Sequence, residues 1–375
     1  MMLNIAHVVA YPYHGGTQEY ARGLAHAQTK LGHNATIYVA GNEVNDCNDL
    51  RIIMRKPIMT LFRNPISFSL PLNILKDQDH YDVLHIHLPF PVTGDLVALL
   101  TRLRKRTRIN ALIATYHFDI DLDSGTRRAI ALLYSKTVLN AVLKAVDRII
   151  VSSGKFIESS LLMSRYQRKV VVTPIGIDAY RYTPCYEYPP RIIFVGRIIP
   201  EKGIHYLIKA LKYLEPKTEL VIIGKIIEHN YYRYLLHLSE KLDLKERIMF
   251  TGYVPQLELV KFYQSAQVVV LPSTTRLESF GIALLEAMAT GKPIVATDII
   301  PGAGELIKKS GCGIIVAPRN PLALAQAIEA TRKNPEHIGR RARKYVEEKH
   351  DWKVIANKVV MVYGETLAEK RRTVW

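Results

Sequence analysis

Cysteine is scarce: the chain has three in 375 residues, at Cys47, Cys185 and Cys312, with neither an even count nor metal-ligand spacing. That excludes a disulfide scaffold and a zinc module, and it points to a reduced, cytoplasmic setting. Long apolar runs are missing too. The most apolar region, residues 131–151, is broken by Lys136, Lys144, Asp147 and Arg148, so no membrane span is expected. No basic leader with a cleavage site precedes residues 3–9, which read as a first strand rather than a signal peptide. Internal repeats at solenoid periods and low-complexity tracts are also absent. Acidic residues are under-represented, 34 against 51 Lys and Arg, for a net charge of +17.

What is present is ordinary globular material: 48% hydrophobic residues, a mean hydropathy of +0.02, and enough length for two domains, each with its own core. The positive excess is spread over both halves. One local run stands out, residues 101–108, with Arg102, Arg104, Lys105, Arg106 and Arg108. Its plainer reading, which we favour, is a solvated helix end, where cations are welcome. Its functional reading is attraction to anionic lipid head groups or phosphorylated substrates, hence peripheral association with an anionic membrane. No nucleic-acid module accompanies the charge, so no nucleic-acid partner is expected.

Short apolar strands alternate with helical segments from the start. Residues 3–9, 34–40, 83–87, 111–115, 148–151 and 170–173 read as strands, and the first is followed by a glycine loop and a helix at 18–31 that Gly32 stops. A Tyr, Pro and Arg-rich stretch at 178–190 reads as a linker. Strands then resume at 191–195, 219–223, 248–251, 268–271 and 294–296. The fold class is therefore α/β, with two doubly wound parallel sheets: a first domain at 1–187, a second at 188–350 and an amphipathic helix at 351–375 that packs back on the first.

Four loops after strands hold the unusual residues, and the ends of strands are where such sheets place their chemistry. Gly15-Gly16 follows the first strand; it suits a tight turn or a close backbone approach to phosphate or sugar, and it lacks the full dinucleotide fingerprint. His117 follows the strand at 111–115; a lone histidine is more often structural than catalytic, and its place at the carboxyl end of a buried strand balances the two readings. Asp119, Asp121 and Asp123 alternate nearby, but the bland reading, a polar loop capping a helix, is preferred, so no metal is expected. Arg197 and Lys202, in Gly196-Arg197-Ile198-Ile199-Pro200-Glu201-Lys202-Gly203, offer a planar fork and a mobile point charge for phosphate oxygens. Last comes Glu278-Ser279-Phe280-Gly281-Ile282, a turn into a helix over 281–290 that carries Glu286. The amides of Phe280, Gly281 and Ile282 are unpaired donors at a helix start, suited to an anion.

Taken together these motifs, with Pro174-Ile175-Gly176-Ile177-Asp178, resemble the retaining GT-B glycosyltransferases of family four (glycosyl transferases group 1) over nearly the whole length. The resemblance implies two Rossmann-like domains facing across a cleft and a hexosyltransferase that needs no metal. Such an enzyme moves a sugar from a nucleotide-diphosphate sugar to an acceptor hydroxyl, lipid-linked or glycan, with retention. The nucleotide sugar is substrate, so no cofactor is expected. It further implies that Arg197 and Lys202 neutralise the leaving diphosphate and that Gly15, Gly16, Ser279, Phe280, Gly281 and Ile282 bring backbone donors to phosphate and sugar. Glu278 would hold the sugar hydroxyls, Glu286 the ribose, and His117 would orient the sugar near its reacting carbon. One departure is Pro301 in Pro301-Gly302-Ala303-Gly304-Glu305, where the family often has a glycine pair and so a backbone donor. The competing readings are an epimerase or hydrolase on the same fold, which would turn over donor without acceptor, a non-catalytic nucleotide-sugar-binding protein and, last, a dehydrogenase.

Overall fold

The structure is a computed structural model that describes residues 2–10, 16–41, 50–61, 64–77, 81–103, 109–120, 125–275, 281–299 and 301–373. It divides into two compact units, residues 1–176 with 352–375, and residues 177–351.

In the first unit β1 (Asn4–Ala10), α1 (Gly16–Lys30), β2 (Asn34–Ala40) and β3 (Arg51–Arg55) lead to a small antiparallel hairpin, β4 (Met59–Leu61) and β5 (Asn64–Ile66). There follow α2 (Ser69–Asp77), β6 (Val83–Leu88), α3 (Thr93–Leu103), β7 (Ala111–Tyr116), α4 (Gly125–Tyr134), α5 (Asn140–Ala145), β8 (Arg148–Val151), α6 (Gly154–Ser159) and β9 (Val170–Val172). Among the described residues the main sheet is entirely parallel, in the order β3-β2-β1-β6-β7-β8-β9. Strands β6 and β7 are buried at every position, as expected for a parallel sheet covered on both faces.

The second unit runs β10 (Arg191–Val195), α7 (Ile204–Leu211), β11 (Glu219–Ile223), α8 (His229–Lys241), β12 (Ile248–Gly252), α9 (Gln256–Gln264) and β13 (Val268–Leu271). It continues with α10 (Ile282–Ala289), β14 (Ile294–Thr297), α11 (Pro301–Ser310), β15 (Gly313–Val316), α12 (Pro321–Arg332) and α13 (Pro335–Lys349). Its parallel order is β12-β11-β10-β13-β14-β15. In each sheet the winding direction reverses once, between β1 and β6 and between β10 and β13. A doubly wound sheet opens a crevice at the carboxyl ends of the strands flanking that reversal.

The structure corrects the sequence reading at several points. Residues 177–187, assigned above to the first domain, belong to the second unit. The guanidinium of Arg343 explains why: its Nη1 donates to the carbonyls of Ala179, Tyr182 and Ala289 at 2.7, 2.6 and 2.6 Å, tying the segment to α10 and α13. The edge strands β3 and β15 and the hairpin were missed. Arg51 and Arg55 bracket β3, and its side chains are only half-buried, so it lacks a buried strand's apolar signature. Strand β15 begins at Gly313, where a Cβ would lie 1.8 Å from the Ile294 carbonyl oxygen, so close pairing with β14 demands glycine. The closing helix, α14 (Trp352–Thr373), lies within the expected 351–375 and starts one residue later. It packs on α1 of its own unit, with the Trp352 indole on the spot where Gly23 or Gly176 would carry a Cβ, about 2.3 Å away in both cases.

Replacing Arg343 by Met keeps the buried stem but strands three carbonyls. The expected cost is about 3 kcal/mol, read as a lower denaturation midpoint for the second unit with the first unit's transition unmoved. An unchanged midpoint contradicts the tie.

Candidate active site

In the second unit the loops after β10 and β13 meet at the winding reversal. Gly196 closes β10 by donating its N–H to the Ile223 carbonyl, and the loop then turns through Arg197 to Pro200, Glu201 and Lys202. The loop after β13 is strapped to that turn: Thr274 donates its backbone N–H to the Glu201 carbonyl at 2.8 Å and its hydroxyl to the same oxygen at 3.2 Å. Gly203 makes this approach possible, and Gly224 brings the loop after β11 equally close to the end of β10. A Cβ on Gly203, which sits at φ +66°, would lie 2.1 Å from the Pro272 carbonyl oxygen; one on Gly224 would lie 1.9 Å from that of Gly196. Arg197 is exposed and Lys202 half-buried, with the lysine stem running back past Gly196. Two cations therefore lie on the loop that follows β10.

Helix α10 leaves the same region. Its cap Gly281 sits at φ +79°, where a Cβ would press on Leu271, and Ile282 opens the helix. Glu286 stands one turn along, with Tyr182 Oη donating to one carboxylate oxygen at 2.7 Å and Tyr263 Oη to the other at 2.6 Å. Burial first, and the Glu286 charge second, push both tyrosines above their ordinary pKa, so they stay protonated as donors. These two bonds orient the Glu286 carboxylate. The tyrosines were not foreseen, because nothing in their sequence spacing ties them to Glu286. Pro301 opens α11, where a helix has no use for the missing N–H, so the departure from the glycine pair is compatible with the local backbone.

Glu278, Ser279 and Phe280 fall outside the described residues, as do Gly15, Asp121 and Asp123. Gly16 is the exposed first residue of α1. Asp119 accepts the hydroxyls of Tyr116 and Ser160, both at 2.9 Å, the structural use expected of a polar loop.

The first unit holds a feature that the sequence reading missed. His117, just past β7, belongs to a buried cluster with His7, His85 and His87. His7 lies opposite His85 in the β1–β6 register, and His87 opposite Thr115 in the β6–β7 register. The side chains of a strand alternate, so the His-x-His spacing at 85 and 87 puts both rings on one face. That spacing was the available signal. His87 bridges His7 and His117 at 3.2 Å on each side. Desolvation lowers the pKa of all four imidazoles, His7 to about 4 and His117 to about 3. One ring nitrogen each from His7, His85 and His87 lies within 4.8 Å of the others. Yet all six of their ring nitrogens already have hydrogen-bond partners, and His87 stacks on both neighbours. Metal ligands instead converge their lone pairs on one point, so the arrangement is that of a hydrogen-bonded stack.

Two doubly wound parallel units define an α/β protein class whose ligand sites lie at the carboxyl ends of strands. Comparison with known proteins narrows it. The model of Glycosyltransferase Family 4 matches residues 14–181 and that of glycosyl transferases group 1 matches residues 183–351. The chain belongs to this family and is a GT-B glycosyltransferase. It is 25% identical to the O-antigen chain mannosyltransferase C of Escherichia coli over 98% of this chain and 100% of that one. It is 29% identical to the D-rhamnosyltransferase WbpZ of Pseudomonas aeruginosa over 70% of this chain and 68% of that one. Among solved structures, Anabaena Alr3699/HepE in complex with UDP superposes with a TM-score of 0.77 at 17% identity, covering 97% of this chain and 100% of that one, which speaks to fold alone.

The buried histidines predict a pH dependence. With His7 at about 4 in the fold and 6.5 when unfolded, the unfolded chain takes up that proton first as pH falls. Stability from His7 is therefore complete above about pH 6.5 and is lost toward pH 4, by on the order of 3 kcal/mol. Denaturation of the wild type and of His7→Asn at pH 7 and pH 5 checks it. The wild type should lose more stability than the variant over that interval; equal losses contradict the assignment.

Proposed function

We propose that the protein is a retaining hexosyltransferase that takes a sugar from a nucleoside diphosphate and passes it to an acceptor hydroxyl, lipid-linked or glycan. The observation that carries this is the junction of the loops after β10 and β13, where Gly203 lets them approach backbone to backbone beside Arg197 and Lys202. The names of the relatives, a mannosyltransferase and a rhamnosyltransferase, and the UDP bound by the Anabaena structure support a nucleotide-sugar donor.

In this reading Arg197 and Lys202 balance the charge that grows on the departing diphosphate, the part of the reaction where preorganised cations help most. Gly15, Gly16 and the amides of residues 279–282 supply backbone donors to phosphate and sugar, Glu278 accepts from the sugar hydroxyls and Glu286 from the ribose. His117 orients the sugar near its reacting carbon. The acceptor oxygen attacks on the face the diphosphate leaves; the C–O bond to phosphate breaks as the new glycosidic bond forms, and the acceptor proton passes to a phosphate oxygen. Glu278 then acts by position and charge rather than as a nucleophile. The donor is a substrate, and the reading calls on neither a separate cofactor nor a metal.

We further propose that the enzyme works at an anionic membrane surface. Among the described residues no helix is long and apolar enough to cross a membrane. Helix α4, however, exposes Ile130, Leu132 and Leu133, with Val138 following, beside exposed Arg128 and Lys136. Apolar side chains rimmed by cations suit the interface of an anionic bilayer.

With the cognate donor, found by screening UDP-, GDP- and ADP-sugars for turnover, Lys202→Ala and Glu278→Gln are each expected to lower kcat by about 10²-fold, the usual cost of one such electrostatic contact. Near-normal rates would remove those roles. Vesicles rich in phosphatidylglycerol should pull the protein down at low salt, and Leu132→Ser with Leu133→Ser should weaken this. Failure of the wild type to bind would sink the membrane reading.

A further inference from the structure

A neutral imidazole has one N–H and one lone pair, so in a chain of such rings each tautomer dictates the next. The chain here ends on Gln28, a fully buried side chain on the inner face of α1. Its Oε1 lies 2.7 Å from His7 Nε2, and its Nε2 donates to Tyr363 Oη on α14 at 3.2 Å.

An amide oxygen only accepts, so His7 carries its proton on Nε2. His7 Nδ1 is then the acceptor for His87 Nε2–H at 3.2 Å. His87 Nδ1 in turn accepts from His117 Nε2–H at 3.2 Å. The series leaves Nδ1 of His117 as a lone pair with no partner among the described residues. The other pole of the same amide sets the second branch. Tyr363 Oη, accepting from Gln28, gives its own proton to His85 Nδ1 at 2.5 Å. His85 Nε2–H then donates to the Thr115 hydroxyl at 2.7 Å. Turning the Gln28 amide over would reverse every bond in both branches and leave a second complete set. The amide orientation therefore selects between two states of the whole network. The strongly lowered pKa values keep every ring neutral, which the argument requires.

We infer that Gln28 is a positioning residue: through His7 and His87 it fixes His117 as the Nε2–H tautomer, so that His117 meets a hydroxyl of the ligand as an acceptor, through Nδ1. The inference rests on the glycosyl-transfer reading only for what that hydroxyl belongs to, a donor sugar. Helix α14 enters the network through Tyr363, so the closing helix contributes to the state of a residue at the end of β7.

The test is a long-range proton–nitrogen correlation spectrum of the full chain labelled with ¹⁵N-histidine, the His117 ring assigned with His117→Asn. The wild type should show His117 protonated on Nε2 and bare on Nδ1, with no substrate present. Gln28→Met, close in shape and without either amide pole, should show a mixture of both tautomers. A wild-type His117 protonated on Nδ1 overturns the inference even if the variant does not fold, and so does a folded variant with an unmixed Nε2–H ring. In donor turnover the mixed variant should lose about twofold in kcat, in proportion to the misprotonated fraction; mixed tautomers at unchanged kcat would overturn the positioning role. Because the spectrum needs no donor, a fixed tautomer in a protein that turns over no nucleotide sugar would fail the transfer reading and leave the tautomer assignment standing.

Discussion

The site of the second unit depends on backbones touching where no side chain can come between them. The turn through Gly203 lies against the Pro272 carbonyl, and Gly224 lies against that of Gly196, both closer than a methyl group allows. Thr274 locks the arrangement by giving two hydrogen bonds to Glu201. A parallel sheet that reverses its winding between β10 and β13 has to open a crevice there. Arg197 and Lys202 lie on the β10 loop that these glycines let pack so closely. Glu286 is managed differently. Two tyrosines donate to its carboxylate, one to each oxygen, and so fix its orientation.

The first unit solves another problem, how to keep four imidazoles buried together. Charged, they would repel one another in a medium that stabilises charge poorly. Neutral, they need each other's lone pairs and protons, and the strand register supplies the spacing: His7 opposite His85, His87 opposite Thr115 and His117 one step beyond β7. Such a network is costly when half-satisfied and specific when complete. Gln28 completes it because its amide offers an acceptor to His7 and a donor to Tyr363 from one side chain. The C-terminal helix is thereby tied to the chemistry of its unit as well as to its packing, through Tyr363 at one end of the contact and Trp352 at the other.

Much of this was legible in the residues. Apolar strands of four to seven residues separated by helices announce parallel sheets, and the central strands β1, β6, β10 and β13 were found because burial on both faces leaves an unmistakable apolar run. The edge strand β3 escaped for the same reason: it is bracketed by arginines and half-buried, so nothing marks it. The loops carrying Arg197 and Lys202 were visible from their place after a strand. What could not be read was anything that depends on register between distant segments. Tyr182 and Tyr263 reach Glu286 across 104 and 23 residues, and Gln28 reaches Tyr363 across 335. The unit boundary was misplaced on similar grounds, because a linker-like composition hid a segment held by one buried guanidinium. Glu278, which dominated the sequence argument, lies outside the described residues, and its role rests on the motif.

The central claim is that the paired loops after β10 and β13 form the donor site. Calorimetric titration of UDP, GDP and ADP into the wild type and into Gly203→Ala tests it most directly, because an added methyl must push the two loops apart without touching any charged group. The account predicts that the wild type binds one of the three at a single site and that the variant, still folded by circular dichroism, loses at least tenfold in affinity. A folded variant that binds as tightly as the wild type would contradict it.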